Sequence, residues 1–222
     1  MRRWNSLILL AVLLLPLAGT YARAQGYGIG RAGKRALLPR DYEIALARSA
    51  APKEVSSSAE IFVLGDTGYV VAVRGTNGNA CLVNRSWPES LEPHCFDAEA
   101  VATVMQTQLR RAALMQSGAS QEAINRDIEE GLRQGRFRTP KRPAMTYMMS
   151  AAQVLYNDDG KRVGAWQPHL MIFFPNLTSE QLGLGATANP DAAIVVDSGK
   201  PWSNIMIVVK RAIAPDGPSG GR

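Results

Sequence analysis

Between residues 60 and 209 the apolar residues change their repeat twice, and that change limits the folds open to this chain. Apolar runs come first, over residues 60–64, 69–74 and 80–84, bounded by Gly65-Asp66-Thr67-Gly68 and Gly75-Thr76-Asn77-Gly78-Asn79. Short apolar runs between such turn residues mark strands. Two helical stretches follow. Behind Asp97 as a cap, Val101, Val104, Met105, Leu109 and Ala112 recur at spacings that align them on one face, and Gly118 closes the run. Behind Ser120, Ile124, Ile128 and Leu132 repeat every four residues. The chain then returns to strand-like runs at 144–149, 153–156, 168–174, 192–196 and 204–209. Strands, then helices, then strands, with no regular β-α-β alternation, predict an α+β fold: a mostly antiparallel sheet packed against two central helices.

Local punctuation adds detail. Asp41 is a candidate cap for a short helix ending near Ala50, with Pro52 closing it and Ser56-Ser57-Ser58 as a loop. Asn77-Gly78 predicts a hairpin that would place Cys81 on its returning strand. Asn157-Asp158-Asp159-Gly160 reads as a turn, and Thr178 as the cap of a short helix over 179–182.

The amino terminus has three zones. Arg2 and Arg3 are followed by an apolar run over 7–18, broken by Pro16, and by Ala22-Arg23-Ala24 before Gln25. This is the pattern of a cleaved secretory signal. The run of 12 residues is short of the ~20 that a membrane span needs. The expected mature chain therefore begins at Gln25, outside the cytoplasm in the periplasm or beyond, with no later membrane-spanning segment. Its domains would be a flexible basic arm over 25–40, one α+β domain over 41–214 and a disordered tail from 215. The full chain has 25 basic and 19 acidic residues, and three arginines leave with the signal. That leaves 22 basic against 19 acidic, a net +3, too little to make nucleic acid the expected partner.

Export also bears on sulfur. Cys81 and Cys95 are the only cysteines, and an even number in an oxidising compartment predicts a disulfide. The competing reading makes Cys95 a reactive thiol, because it lies beside His94 and just ahead of a helix start.

Familiar motifs fail their physical requirements. Gly28-Ile29-Gly30-Arg31-Ala32-Gly33 has the glycine spacing of a dinucleotide loop but no strand before it. Ser198-Gly199-Lys200 lacks the upstream glycine of a phosphate loop, with Ile194 in its place. The chain has two histidines, His94 and His169, and no Gly-x-Ser-x-Gly elbow. No catalytic residue and no cofactor is expected.

Two further site hypotheses remain. On alternating strands Met145, Tyr147 and Met149 share one face, and His169, Met171 and Phe173 share another. Matched faces on adjacent strands would gather thioethers and an imidazole, a donor set suited to Cu(I). Unmatched, they are ordinary core methionines. The basic arm (Arg31, Lys34, Arg35, Arg40) and the connector (Arg133, Arg136, Arg138, Lys141, Arg142) could meet an anionic envelope component, or be solvated loops.

The stretches Gly75-Thr76-Asn77-Gly78-Asn79-Ala80-Cys81-Leu82-Val83, Arg142-Pro143-Ala144-Met145-Thr146-Tyr147-Met148-Met149-Ser150 and Trp166-Gln167-Pro168-His169-Leu170-Met171 resemble an uncharacterised family of exported bacterial proteins. The resemblance implies export from a bacterial cell and carries no activity. The expected role is that of a non-catalytic protein binding a small ligand or an envelope partner. The alternative is an extracytoplasmic enzyme or copper-binding protein using His169, which as a general base would need an acid such as Asp97 or Glu99.

Overall fold

The computed structural model describes residues 31–156, 160–163, 167–184 and 193–216. The expected signal, Gly28 to Gly30, most of the Asn157–Gly160 turn and nearly all of the tail lie outside these residues. Eight strands form one sheet in the order β2-β1-β3-β4-β5-β6-β8-β7. They are β1 (Glu60–Gly65), β2 (Gly68–Val73), β3 (Ala80–Asn84), β4 (Glu92–Phe96), β5 (Ala144–Met148), β6 (His169–Phe173), β7 (Ile194–Val196) and β8 (Asn204–Val208). Every pairing is antiparallel except that of β1 with β3. The fold is thus α+β with a mostly antiparallel sheet, as the change of period predicts.

Helices cover both faces. On one lie α1 (Arg40–Arg48) and α2 (Lys53–Ser56). There Leu46 and Ala47 pack with Ile61, Cys81, Val83 and Cys95. On the other lie α3 (Ala98–Ala102), α4 (Val104–Gln116) and α5 (Gln121–Arg133). Ala100, Val104 and Met105 bury against Leu82, Phe96, Met148, Met171 and Phe173. Asp97 caps α3 through Oδ1, which accepts from the Ala100 amide at 2.8 Å. Ser120 Oγ accepts from the Ala123 amide at 3.2 Å at the start of α5.

Several local expectations need correction. The stripe from Val101 to Ala112 is two helices, separated at Thr103, whose φ of −129° leaves the helical region. Pro39, not Asp41, precedes α1, and Asp41 sits in the first turn, where a carboxylate favours the helix dipole. Pro52 opens α2 rather than closing α1. Residues 153–156 contribute only isolated bridges, Val154 to Leu91 and Tyr156 to Arg162. Strand β4 is not among the expected strands, since Glu92-Pro93-His94-Cys95-Phe96 has no alternation of polarity; all five residues are buried.

The Asn77-Gly78 hairpin does not form. Gly78 has the expected positive φ of 77°, but β3 pairs with β1 and β4, not with β2. The loop is tied elsewhere: Thr76 and Asn77 amides donate to Ser58 O, and the Asn77 side chain donates to Val55 O at 2.8 Å. Those bonds carry the chain past β1, so β3 joins its far edge in parallel. Gly75 makes the crossing possible, because a Cβ there would stand 2.2 Å from the Glu60 nitrogen.

Candidate functional site

The chain's two histidines meet on one face of the sheet. The β5–β6 register places Met148 opposite His169. Cys95 lies opposite Tyr147 on the β4–β5 ladder, so the next antiparallel position sets His94 opposite Met148. His94, Met148 and His169 therefore form a row across three adjacent strands. It lies on the face that α3 and α4 cover, since Met148 packs in the same cluster as Ala100 and Met105. His94 is 1 % and His169 2 % exposed.

Both rings are held alike. His94 Nδ1 is 2.7 Å from Glu92 O, and His169 Nδ1 is 3.0 Å from Gln167 O. A carbonyl can only accept, so in each neutral ring Nδ1 carries the proton and Nε2 the lone pair. Burial pushes the pKa of both rings down to about 4, and for His169 the proximity of His94 adds to the shift. His94 also stacks on Phe96, with centroids 5.5 Å apart.

The sulfur patch is built differently from the expectation. Met145 and Tyr147 alternate with the buried Ala144, Thr146 and Met148, so they lie on the opposite face from His169 and Met171. Met149 lies just beyond the end of β5. The register pairs Thr146 with Met171 and Met148 with His169. Thus Met145 and Met149 drop out of the set, Met171 stays in it, and Met148 and Met206 enter it. Alternation showed which residues of one strand share a face; it could not show which faces of two strands coincide.

The enzyme reading meets an obstacle in its acids. Asp97 is engaged in capping α3. Glu99 accepts from the Lys141 amide at 3.0 Å and from Arg142 Nη2 at 2.9 Å, and those bonds, the Lys141 amide first, lower its pKa. Cys95 is joined to Cys81 in a disulfide and so has no thiolate to offer as a nucleophile.

The basic segments are also committed. The described part of the expected flexible arm is docked at Arg35, which is 3 % exposed. Its guanidinium donates to Arg85 O, Gly33 O and Ser86 O, each at 2.7 Å, and to Arg31 O. Its amide donates to Gln116 Oε1 at 2.7 Å. In the connector Arg136 pairs with Asp127, Arg133 with Glu130 and Arg142 with Glu99.

Docking Arg35 completes a buried charge cluster that the sequence did not reveal. Burial, then the neighbouring Arg85, push the Arg35 pKa down. Glu92 accepts from Asn84 Nδ2 at 2.9 Å and from the Ser86 amide and hydroxyl; burial nonetheless raises its pKa. Glu43 accepts from the Leu64 amide at 3.0 Å, while its Oε2 has no hydrogen-bond partner among the described residues. Burial raises its pKa too. Glu92 favours the charged form of Arg35, and Arg85 favours that of Glu43, the compensation that interior charges require. These residues lie far apart in the chain, and no local spacing links them.

Among the described residues no three His, Cys, Asp or Glu side chains group as a metal site, and no helix is long and apolar enough to cross a membrane. Comparison with known proteins finds no matching family model, no similar curated protein and no similar solved structure. The class that fold and site define is an α+β domain with helices on both sheet faces, a cross-strand disulfide and a buried imidazole–thioether row.

Proposed function

We propose that the mature chain works outside the cytoplasm as a non-catalytic domain that binds a small ligand. The observation that carries this reading is the state of the two histidines. Both are sealed into the helix-covered face with pKa values of about 4. A general base works best with a pKa near the operating pH, and these rings are far below it. The acids that would assist them are engaged with a helix cap and with the connector. The leader pattern and the Cys81–Cys95 bond support an exported, oxidised setting. A small ligand is favoured over an anionic envelope polymer because three of the connector arginines, Arg133, Arg136 and Arg142, already pair with Glu130, Asp127 and Glu99.

Mass spectrometry of the chain recovered from the cell envelope, under native and then denaturing conditions, tests this. The expected species begins at Gln25, is two hydrogens lighter than the dithiol, and carries a mass increment that denaturation removes. A chain beginning at Met1 with both thiols free would overturn the proposal.

A further inference from the structure

We infer that the apolar face of β5, β6 and β8, on the α1 side of the sheet, is a docking surface for an anionic lipid bilayer. This goes beyond the binding-domain reading, because it says where the domain rests rather than what it binds.

The surface follows from the strand registers. On its own side of the sheet α1 packs against β1, β3 and β4. Beyond them, two cross-strand rows share that side: Met145, Ile172 and Ile205, then Tyr147, Leu170 and Ile207. These residues alternate with Thr146, Met148, Met171 and Met206, which turn to the side that α3 and α4 cover. All six are partly exposed, Ile207 most at 39 %. Phe174 and Val209 extend the β6 and β8 lines, since their amides continue the ladders to Ser203 O and Pro168 O.

An antiparallel sheet with one face toward water carries polar residues on that face. Here β5, β6 and β8 contain no Asp, Glu, Lys or Arg at all. The three strands are interior to the sheet and paired on both sides. Their backbone groups are therefore satisfied within the ladders, the condition for laying a sheet face against lipid. Tyr147 adds an amphipathic ring of the kind that sits at the level of lipid headgroups.

Charge at the rim selects an anionic surface. Lys141 and Lys200 precede β5 and β8, which begin at the same end of the face, and Lys210 and Arg211 follow β8 at the other end. All four are exposed, and none makes an ion pair among the described residues. Asp197, which follows β7, acts on Arg111 of α4, on the opposite side of the sheet.

A second copy of the chain is the poorer occupant. Three strands about 4.8 Å apart, with four residues of each on this side, give a footprint of about 300–400 Å². A stable protein interface buries about 800 Å² per partner, whereas a patch of this size suits a shallow contact. With cations at both ends, twofold stacking of the face on itself would also set like charges together.

Flotation of the envelope-purified chain with lipid vesicles tests the surface. Vesicles of equal parts phosphatidylglycerol and phosphatidylcholine should carry the chain, and pure phosphatidylcholine vesicles much less. Raising the salt from about 0.01 to about 0.15 M should weaken binding, because screening shortens from about 30 Å to about 8 Å. Lys210→Gln with Arg211→Gln should bind about twentyfold more weakly, at about fivefold per cation. Ile207→Thr keeps a β-branched shape at an exposed position, so it should fold normally and bind about fivefold more weakly. Val70→Thr, 46 % exposed on β2 at the far edge of the sheet, should bind like wild type. The amino-terminal residues are common to all these variants, so differences between them report the face. No binding to the anionic vesicles, equal binding to both vesicles, or binding unchanged in Ile207→Thr would overturn the proposal. So would a dimer in sedimentation velocity that Ile207→Thr dissociates, since the face would then belong to a second copy.

Discussion

Cys81 and Cys95 stand directly opposite each other on β3 and β4, with 4.0 Å between their Cα atoms and a bond between their sulfurs. The bridge pins two buried interior strands and closes a short loop. In the chain-entropy model a loop of this length is worth about 3 kcal/mol. The double variant Cys81→Ala, Cys95→Ala should lose stability of that order in urea denaturation. Wild type in strong reductant should move toward it.

The histidine row gives stability a pH dependence. The folded pKa of about 4 for His94 and His169 lies below the ordinary 6.5. Between those values the unfolded chain binds more protons, so acid favours unfolding. Stability from this source is complete above about pH 6.5 and falls as pH drops toward 4, by up to about 3 kcal/mol per ring. Glu43 and Glu92, whose pKa values are raised by burial, oppose this: their cost grows as pH rises above the ordinary carboxylate range. The measurement is therefore a difference. Denaturation midpoints of wild type and His169→Gln, followed from pH 7.5 to 4.5, should converge as pH falls.

Gly75 has no room for a methyl group, since its Cβ would meet backbone atoms of Ala59 and Glu60 at 2.7 and 2.2 Å. Backbone cannot swing aside as a flexible side chain does. Gly75→Ala should cost about 1–3 kcal/mol and disturb the β1–β3 pairing. Thermal unfolding checks the cost, and amide exchange at Glu60 and Ile61 checks the location.

Arg35 holds residues 31–39 against the domain through Arg85 O and Ser86 O, and folds the segment on itself through Arg31 O and Gly33 O. Arg35→Ala removes those bonds and leaves the buried carboxyl of Glu92 short of one compensating charge. Protection against exchange over 31–39 should fall, and overall stability should drop by about 3–5 kcal/mol. Arg35→Lys should recover only part of it, because an ammonium cannot reproduce the forked geometry. Limited proteolysis near Lys34 gives the simplest readout.

The amino-acid sequence by itself determined the elements whose signals are local. The caps Asp97 and Ser120, the buried stripes of α4 and α5, the alternation in β5 and β6 and the even pair of cysteines each lie within a few residues of what they specify. Period and capping are properties of one helix or one strand, and they made the α+β class legible. Tertiary structure decided the rest. Asn77-Gly78 turns as expected, yet bonds to Ser58 and Val55 send β3 to the other edge of β1. His169 and Met171 did share a face, but the face of β5 that meets them carries Thr146 and Met148, not Met145. His94, Met148 and His169 are joined only by the registers of β4, β5 and β6, and Arg35, Arg85, Glu43 and Glu92 only by docking of a segment that looks like a free basic arm. A ladder register is a bargain between distant segments, made when both faces of the sheet are buried at once, so no window of neighbouring residues contains it.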